Sequence, residues 1–567
     1  MCGIFFALSR HGRVGPDAGT EQLLKNRGPD SVGEYRTLIP ANLDCTQASS
    51  LQLHATFLST VLSLRGAAIV EQPLKDDATG SALCWNGEAW SIQGHFDSIP
   101  GNDSQVVFDL LLQQSHTSSA GSRTVSIERV VRILSSIRGP YAFVFYDAKN
   151  EYLYYGRDCL GRRSLLRKSA SENELVLCSV YDSASGDEWT EVEADGIYVI
   201  DLKSTLSSSQ AALDLTHIPH RRQDESRPGE LSIVAMNQAV QAASHPEAHH
   251  VQRLGVALRK CLEVRIRHVR ESVTSNSEAQ VAILFSGGLD CTILARICHD
   301  LLPPTEIIHL HNVAFQNPRI HGKLNETQNP YELCPDRITG RSSFAELMRV
   351  CPDRRWRFIE INVPYSETVA HRSAVIALMH PHNTEMDLSI SYALYFASRG
   401  VGMWCPPEDG SSQPHLDHAH VLISGLGADE LFGGYQRHSV AYARRGYPGL
   451  IEELELDFNR LGKRNLGRDD RVISDSGKEV RFPYLDEDFI SLALGLPVWA
   501  KCDFGNPQQE NSEDPARFLE PGKRILRLLA WDLGMKGAAA EKKRAIQFGA
   551  RTAKMETGKI KGTQVLT

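Results

Sequence analysis

The chain has 567 residues, of which 61 are Lys or Arg and 69 are Asp or Glu, so its formal net charge is −8. A chain of this length is expected to form two or more domains, each with its own core. The mild acidity argues against a nucleic-acid-binding or membrane-binding surface, and no run of about 18 apolar residues predicts a transmembrane helix. Twelve cysteines without CxxC pairs, and no pattern of a secretory signal, predict reduced thiols and a cytoplasmic protein.

Short apolar runs rich in aromatic residues indicate β-strands in the first third of the chain. They lie at residues 82–85, 141–146, 152–155 and 196–200. Residues 206–250 are rich in Ser, Gln and His and contain several prolines, which is typical of a linker. We therefore predict a first domain over residues 1–205 and a linker over residues 206–250.

From residue 251 onward the pattern changes to alternating helices and strands. Leu254, Leu258 and Cys261 recur at helical spacing, and residues 281–285 form a continuous apolar run typical of a parallel strand buried on both faces. Further strands are predicted at residues 358–361 and 421–423. These elements predict a second domain of the α/β class over residues 251–567, with a surface insertion at residues 316–336.

The N-terminus places a thiol directly behind the initiator methionine. Removal of Met1 would leave a free α-amine on Cys2, the residue that carries the thiol. The unperturbed pKa values of the amine and the thiol are about 8 and about 8.5, so the amine is a suitable base for the thiol. A thiol paired with its own base is an activated nucleophile.

A glycine-rich turn follows the predicted strand at residues 281–285. Ser286-Gly287-Gly288-Leu289-Asp290 precedes a run with helical apolar spacing, so backbone N–H groups at a helix N-terminus are available to an anion. Asp290 is suited to hold a magnesium ion that bridges phosphates. The alternative is an ordinary glycine-rich turn, but the position after a buried strand favours a nucleotide site. The run resembles the PP-loop of ATP pyrophosphatases, which form acyl-adenylates.

A second turn of small residues follows the strand at residues 421–423. Ser424-Gly425-Leu426-Gly427-Ala428 leads into Asp429 and Glu430. Either carboxylate is suited to complete a magnesium shell opposite Asp290. The alternative is a helix start whose acidic residues complement the helix dipole.

Taken together, the chain resembles a class II glutamine amidotransferase domain followed by an asparagine synthetase domain. The resemblance covers nearly the whole chain and is greatest to the asparagine synthetase domain-containing protein 1 family, on the motifs at residues 335–341, 396–400, 465–473 and 543–549. It implies an αββα sandwich of the Ntn-hydrolase type, followed by a parallel-sheet domain of the PP-loop ATP pyrophosphatase type. In such a domain, with five parallel strands, Ser286 and Ser424 would lie at the carboxyl ends of neighbouring strands.

The resemblance also assigns roles in glutamine hydrolysis. Cys2 matches the nucleophile, and Asn86 with Gly87 matches the oxyanion hole of the tetrahedral intermediate. The glutamine-binding set is Arg65 for the α-carboxylate, Asp103 for the α-ammonium, and Asn86 and Glu88. The motifs Arg27-Gly28-Pro29-Asp30, Gln72-Pro73-Leu74 and 156–161 match parts of the scaffold.

In the second domain the resemblance assigns ATP and Mg²⁺ as cofactors. The ATP-binding residues are Leu284, Ser286, Gly287, Gly288, Asp290, Ser424 and Gly425, the magnesium ligands are Asp290 and Asp429, and Lys523 matches the lysine that stabilises the adenylation transition state.

This domain departs from authentic asparagine synthetases at two points. Leu426 stands where they have a glutamate that acts as a base, and the helix around residues 387–392 lacks the arginine expected to bind the aspartate carboxylate. Loss of a base costs on the order of 100- to 10,000-fold in rate. Asp429 and Glu430, three and four residues on, are possible substitutes after a loop shift.

Three functions follow as alternatives. The first is a ligase that hydrolyses glutamine and transfers ammonia to an ATP-activated carboxylate, with aspartate giving asparagine as the leading reaction. The second is an amidotransferase with a different acceptor, and the third is a non-catalytic descendant that binds a nucleotide or a partner protein. The complete set Cys2, Arg65, Asn86 and Asp103 favours an enzyme. The expected ligands are glutamine, ATP and aspartate, and the sequence leaves the oligomeric state open.

Overall fold

The computed structural model describes residues 2–566, except 41–51, 94, 96–97, 117–122, 170–173, 184–185, 187, 208–211, 221–233, 241–247, 268, 270–278, 326, 407–409, 507, 510–511 and 556–561. Part of the predicted linker, with Pro228 and Pro246, lies outside the described residues. No helix among the described residues is long and apolar enough to cross a membrane.

The first 220 residues are rich in strands, as predicted. In chain order the elements are β1 (Gly3–Ser9), α1 (Ala18–Arg27), β2 (Ser31–Pro40), β3 (Gln52–Val61), β4 (Leu74–Lys75), β5 (Ala82–Gly87), β6 (Ser91–Ile92), α2 (Asp103–His116), α3 (Arg123–Ser136), β7 (Ile137–Arg138), β8 (Tyr141–Asp147), β9 (Tyr152–Arg157), β10 (Leu166–Lys168), β11 (Glu174–Cys178), β12 (Trp189–Glu191), β13 (Gly196–Asp201), α4 (Leu202–Ser207) and β14 (Leu215–Pro219).

The remainder alternates helices with strands and ends in helices. The elements are α5 (Ala248–Arg267), β15 (Val281–Leu284), α6 (Leu289–Leu301), β16 (Ile307–Phe315), α7 (Pro318–His321), α8 (Pro335–Val350), β17 (Arg355–Val363), α9 (Tyr365–Ala370), α10 (Arg372–Met379), α11 (Glu385–Arg399), β18 (Val401–Trp404), β19 (Gln413–Leu416), β20 (Val421–Ile423), α12 (Ala428–Phe432), α13 (Gln436–Asn459), a π-helical turn (Gly462–Leu466), α14 (Gly467–Ser474), β21 (Glu479–Arg481), a 3₁₀ turn (Pro483–Leu485), α15 (Glu487–Gly495), α16 (Val498–Lys501), α17 (Pro515–Phe518), α18 (Arg524–Asp532), α19 (Lys536–Ala540) and α20 (Ile546–Gly549).

The chain divides into two compact units. Unit 1 contains residues 1–232, 377–382 and 461–477, and unit 2 contains residues 233–376, 383–460 and 478–567. The sequence predicts a first domain that ends near residue 205. The structure adds two short segments from much later in the chain to that first part.

Unit 1 is built on two antiparallel sheets. Their strand orders are β12-β10-β11-β1-β3-β2 and β14-β13-β9-β8-β5-β4. Successive side chains of a strand point to opposite faces, so Ala142 and Val144 of β8 join the core between the sheets. Phe143 and Phe145 join the core that α2 and α3 cover. The predicted strands at residues 82–85, 141–146, 152–155 and 196–200 are all present.

Strand β14 is a correction to the predicted linker. Residues 215–219 pair with β13 and extend the second sheet, whereas the sequence indicates that residues 196–200 close the strand-rich region. The side chains of β14 are exposed or half-buried, so the strand lacks the apolar alternation by which a sequence reveals a strand. Backbone pairing to a free sheet edge determines it instead.

Unit 2 contains a seven-stranded sheet with the order β19-β18-β17-β16-β15-β20-β21. Five neighbouring strands of this sheet are parallel, as predicted, in the order β17, β16, β15, β20 and β21. The hairpin of β18 and β19 adds two antiparallel strands at one edge, which the sequence does not predict. Strands β15 and β20 are neighbours, so Ser286 and Ser424 follow the carboxyl ends of adjacent strands.

The predicted surface insertion at residues 316–336 is correct only for its middle. Residues 323–325 and 327–331 are mostly exposed, but Asn317, Cys334 and Asp336 are buried. The Asn317 side chain donates hydrogen bonds to the backbone oxygens of Arg551 and Ala553 at 2.9 and 3.1 Å. The ends of the segment therefore belong to the packed unit, because a polar side chain near its start anchors the C-terminal residues.

Candidate active sites

The N-terminal thiol of unit 1 lies at the start of a buried central strand. Cys2 is buried and directly precedes β1. A Cβ on Gly3 would lie 2.6 Å from the Thr60 hydroxyl, so the residue after Cys2 has no room for a side chain. The Gly3 N–H donates to that hydroxyl at 3.1 Å, which fixes the backbone directly after Cys2.

Gln72 connects the thiol to the strand that carries the predicted oxyanion hole. Its Nε2 lies 3.9 Å from Cys2 Sγ, and its Oε1 accepts a hydrogen bond from Trp85 N at 2.8 Å. Trp85 directly precedes Asn86 on β5. The sequence identifies Gln72 only as part of a scaffold motif, because nothing in the local pattern indicates a contact across 70 residues.

Asn86 is the polar group in this region that the protein leaves unsatisfied. Its side chain is fully buried, and neither amide atom has a hydrogen-bond partner among the residues that the structure describes. A buried polar group without a partner costs about 1–3 kcal/mol. Gly87 beside it has no space for a Cβ, which would lie 2.4 Å from the Pro140 oxygen. An amide held in this way is suited to bind an oxygen of a ligand.

The predicted glutamine-binding residues of unit 1 are also close together. The Arg65 guanidinium donates to the backbone oxygens of Ala89 and Ile99 at 3.0 and 2.6 Å and lies 3.4 Å from the Glu88 carboxylate. Asp103 accepts from Ala89 N at 2.7 Å and from the Trp85 indole at 3.2 Å. The residues from Trp85 to Ala89 therefore connect Arg65, Asp103 and Asn86.

Burial raises the pKa of Asp103 above its ordinary value, although the charge of Arg65 and the two hydrogen bonds oppose the shift. Asp103 thus lies near a fixed cation in a buried region. A buried carboxylate of this kind is stabilised when a cationic group binds to it.

In unit 2 the glycine-rich turn has the geometry of an anion-binding loop. Gly287 has a φ of +77°, and a Cβ there would lie 2.4 Å from Gly340 N, so only glycine fits. Gly288 is the N-cap of α6, and its N–H donates to Ser286 Oγ at 3.3 Å. Leu284 ends β15 just before this turn. The turn therefore places small residues at the N-terminus of a 13-residue helix.

Lys523 brings the two predicted magnesium ligands together. Its Nζ lies 2.6 Å from Asp290 Oδ2 and 2.6 Å from Asp429 Oδ1, and Lys543 pairs with the other oxygen of Asp429. Although burial favours the neutral acid, Lys523 and Lys543 hold the pKa of Asp429 well below its usual range. Two carboxylates that share one cation are suited to hold a divalent cation, since carboxylate oxygen is the ligand that Mg²⁺ prefers.

The backbone around these charges leaves little freedom. Lys523 has a φ of +55°, which is uncommon for a residue with a side chain. A Cβ on Gly434 would lie 1.8 Å from Asp429 Oδ1 and 2.2 Å from Lys523 Cε. Gly425 lies against Asp290, at 3.0 Å from a built Cβ to the Asp290 Cβ. The sequence predicts the charged residues, but it gives no sign of the strained lysine.

Leu426 and its acidic neighbours differ in what they can do with a proton. Leu426 is half-buried, and its N–H donates to Ser424 Oγ at 3.3 Å. Glu430 is buried, and its Oε1 accepts from the Tyr435 hydroxyl at 2.6 Å, while its Oε2 has no partner among the described residues. Burial and the charge of Asp429 raise the pKa of Glu430 to about 7. A titratable carboxyl therefore lies in this segment, four residues after the leucine.

An open depression lies beyond the carboxyl end of β17. Its charged and hydroxyl-bearing lining residues include Tyr365, Arg372, Glu385, Ser389 and Lys554. Glu385 and Ser389 come from α11, the helix in which the sequence lacks the expected arginine. The lining thus supplies cations from other elements together with an anion from α11.

A histidine cluster elsewhere in unit 2 has the residue types of a metal site. His309, His415 and Asp417 place one ligand atom each within 4.8 Å of one another. Asp417 Oδ1 bonds to His309 Nδ1 at 2.7 Å and accepts from Ala419 N at 3.0 Å. Its Oδ2 lies 2.7 Å from His311 Nε2 and 3.5 Å from Lys478 Nζ. The carboxylate therefore already faces two imidazoles and an ammonium group, which compensate its charge.

The known proteins to which this chain is similar carry asparagine synthetase domains or are asparagine synthetases. The asparagine synthase family model matches residues 442–558. Asparagine synthetase domain-containing protein 1 of Bos taurus is 33% identical over 660 residues, which cover 99% of this chain and 97% of the relative. An asparagine synthetase domain-containing protein of Saccharomyces cerevisiae is 33% identical, with 90% of this chain and 86% of the relative covered. The glutamine-hydrolysing asparagine synthetase of Homo sapiens is 23% identical, with 73% and 64% covered.

Proposed function

Because the chain belongs to the asparagine synthetase domain-containing protein 1 family, we propose that it is a glutamine-dependent amidotransferase. In this proposal unit 1 hydrolyses glutamine at Cys2, and unit 2 uses ATP to activate a carboxylate that accepts the ammonia. The observation that carries the proposal is the buried Asn86 amide, which lacks a partner among the described residues and follows the backbone N–H that binds Gln72.

In the glutaminase reaction the α-amine of processed Cys2 takes the thiol proton, and the thiolate attacks the glutamine amide carbon. Asn86 and the N–H of Gly87 stabilise the resulting oxyanion. The C–N bond breaks, ammonia leaves with the transferred proton, and a thioester remains on Cys2. Water then hydrolyses the thioester and releases glutamate. Arg65 and Asp103 bind the α-carboxylate and the α-ammonium of the substrate.

In the ATP-dependent reaction an oxygen of the acceptor carboxylate attacks the α-phosphorus of ATP, and pyrophosphate leaves. Ammonia then attacks the acyl carbon, and AMP leaves. The N–H groups of the Ser286–Gly288 turn, with Ser424 and Gly425, bind the phosphates, and Lys523 stabilises the charge that develops on them. Asp290 and Asp429 would hold Mg²⁺, which neutralises phosphate charge when bound.

We propose aspartate as the leading acceptor, because the depression beside α11 carries charges of both signs. Arg372 and Lys554 are suited to a carboxylate and Glu385 is suited to an ammonium group, so the lining matches an amino acid with an acidic side chain. Arg372→Ala is expected to raise the acceptor KM about tenfold or more without changing glutamine hydrolysis. Arg349→Ala, at a mostly exposed side chain on α8, is the matched control. An unchanged acceptor KM in Arg372→Ala would contradict this placement.

The leucine at position 426 favours a second candidate, an amidotransferase with a different acceptor. A leucine cannot take a proton from ammonia or ammonium, so the reaction with aspartate is expected to be slower than in authentic synthetases. Turnover of aspartate at an ordinary rate of about 1–10 per second would contradict this expectation. Amide formation from another carboxylate, with none from aspartate, would establish the second candidate.

The test of the main proposal is the full-length protein with labelled glutamine, ATP-Mg²⁺ and a panel of carboxylates. Glutamate, pyrophosphate and the labelled amide are measured separately. Cys2→Ala is expected to abolish glutamine hydrolysis and to leave ATP binding intact, whereas Cys405→Ala, at an exposed cysteine, should change neither. Glutamine hydrolysis that survives Cys2→Ala, or active protein that retains Met1, would contradict the mechanism.

A further inference from the structure

A short segment from late in the chain is buried in unit 1. Residues 461–477 belong to that unit, more than 200 residues after its last strand. The segment contains the π-helical turn Gly462–Leu466 and α14, and every residue of α14 is buried. The sequence singles out residues 465–473 only as a family motif, and the proposed function gives the segment no role.

Asp470 of α14 is the centre of a charged cluster without access to solvent. Its carboxylate lies 2.8 Å from the Arg27 guanidinium and 3.6 Å from that of Arg163, and the exposed fraction of these three side chains is 1% or less. It also accepts a hydrogen bond from Ser164 N at 3.1 Å. Ser474, one turn later, accepts from Arg27 at 2.5 Å. A buried charge must be paired in this way, because its removal from water is otherwise strongly unfavourable.

Arg27 connects this cluster to the N-terminal residue. It is the last residue of α1, and its Nε donates to the backbone oxygen of Cys2 at 3.3 Å. Gly28 directly after it packs against β3, where a Cβ would lie 2.5 Å from the Thr60 carbonyl carbon. The end of α1 is thus fixed, and the guanidinium spans from α14 to Cys2.

A second set of contacts also attaches the segment to unit 1. The Arg471 guanidinium donates to Ser164 Oγ at 2.8 Å and to Glu191 at 2.5 Å, and Glu191 also accepts from Arg157 at 3.1 Å. Although burial opposes the ionised form, Arg471 and Arg157 lower the pKa of Glu191 to about 2. These hydrogen bonds involve neither Cys2 nor Arg27. This set therefore supplies a charged comparison for the Asp470 cluster, in which the Glu191 side chain is 12% exposed.

We propose that Asp470 is a positioning residue for the glutaminase nucleophile. Its carboxylate holds the Arg27 guanidinium in the orientation in which Nε bonds to the Cys2 oxygen, and that bond orients the amine and thiol of Cys2. The inference rests on the proposed glutaminase reaction. Its consequence is that glutamine hydrolysis depends on a residue encoded in the part of the chain that otherwise builds the ATP-dependent unit.

Asp470→Asn in the full-length protein is the direct test. The variant keeps the shape of the side chain but removes the charge that orients Arg27. We expect the kcat of glutamine hydrolysis to fall about tenfold or more, with the glutamine KM within about threefold of wild type. The rate at which iodoacetamide alkylates Cys2, followed by peptide mass spectrometry, is expected to change by at least threefold.

Glu191→Gln separates positioning from a merely structural role. It removes an equally charged partner of the same segment, so we expect it to lower the thermal midpoint by as much as Asp470→Asn while kcat and Cys2 alkylation stay as in wild type. Equal kinetic losses in both variants would show a structural role and would overturn the proposal. The alkylation measurement needs no turnover, so it tests the positioning even if the wild-type protein does not hydrolyse glutamine.

Arg27→Lys keeps the experiment decisive if Asp470→Asn does not fold. Lysine retains a cation beside Asp470 but has no Nε to donate to the Cys2 oxygen. The same loss of kcat and the same change in Cys2 alkylation are expected. Wild-type kcat together with a wild-type alkylation rate in a folded Arg27→Lys protein would overturn the proposal.

Discussion

The two candidate sites differ in how their polar groups are compensated. In unit 1 the buried Asn86 amide has no partner among the described residues, and the neighbouring Arg65 and Asp103 are held by hydrogen bonds to the backbone. In unit 2 the carboxylates of Asp290 and Asp429 share the ammonium group of Lys523 at 2.6 Å. The first site thus offers a neutral donor that is already oriented, which suits a developing oxyanion. The second is a balanced charge cluster, which suits phosphates and a cation.

The difference also extends to how completely each site matches its family pattern. In unit 1 every expected glutaminase residue is present, and Trp85 to Ala89 bring several of them together. In unit 2 the residues proposed to bind phosphate and a cation are present, whereas Leu426 replaces the expected base.

The largest expected effect is at Asn86. Asn86→Ala is expected to lower the kcat of glutamine hydrolysis by about 100- to 1,000-fold, the usual loss for an oxyanion-hole donor, without lowering the thermal midpoint. Asn150→Ala is the matched control, because that amide donates to Ser115 O at 3.0 Å and to Asp147 at 2.7 Å. It should lower stability and leave kcat unchanged. If Asn86→Ala behaved like this control, the amide would be structural.

The next effect concerns the charge cluster of unit 2. Lys523→Ala leaves Asp290 and Asp429 facing each other without their shared cation, and it removes a charge aimed at the phosphates. We expect ATP-dependent pyrophosphate release to fall about 100-fold, a loss of about 2.7 kcal/mol of transition-state stabilisation, with glutamine hydrolysis unchanged. Lys536→Ala, whose ammonium lies over the Trp531 ring at 4.9 Å, is the control. Unchanged pyrophosphate release in Lys523→Ala would remove the lysine from the reaction.

A smaller gain is expected from restoring the missing base. Leu426→Glu should increase amide formation from aspartate about tenfold. General-base catalysis with ideal geometry contributes about 100-fold or more, and we expect less from a base introduced at a single position. Leu426→Gln introduces a polar side chain of the same size as glutamate that cannot take a proton, so it should give no gain. Glutamine hydrolysis is the internal reference in both variants. Equal amide formation in wild type and Leu426→Glu would show that this position does not limit the reaction.

The smallest effect is on stability and comes from Glu430. Burial and the charge of Asp429 raise its pKa from 4.5 to about 7. A raised carboxyl pKa means that the folded state keeps a proton that the unfolded state has lost. The contribution of Glu430 to the free energy of unfolding is therefore fully present below pH 4.5 and is lost as pH rises through 7. Glu430→Gln avoids this loss and should be more stable than wild type by about 3 kcal/mol at pH 8.

The measurement is the midpoint of thermal unfolding of both proteins between pH 5 and pH 8. The advantage of Glu430→Gln over wild type should grow from pH 5 to about pH 7 and level off above it. Glu452→Gln, at an exposed carboxylate on α13, should show no such trend. An advantage that is constant with pH would mean that the glutamine improves packing and that Glu430 does not titrate in this range.

Much of the fold follows from local sequence patterns. Aromatic-rich runs predict β5, β8, β9 and β13, and continuous apolar runs predict the parallel strands around Ser286 and Ser424. Strand β14 and the hairpin of β18 and β19 are not predicted, because their side chains are mostly exposed and carry little apolar pattern. Such edge elements are determined by backbone pairing to a sheet that already exists.

The candidate sites show the same division. The sequence by itself determined which residue types are available: a thiol behind Met1, a glycine-rich turn after a buried strand, and leucine in place of a base. Only the tertiary structure decided that Gln72 contacts Cys2, that Lys523 joins two carboxylates, and that Asp470 lies against Arg27, 443 residues apart in the chain. The physical reason is that turn and strand propensities act over a few residues. Compensation of a buried charge instead depends on whichever segment the packed chain brings within hydrogen-bonding distance.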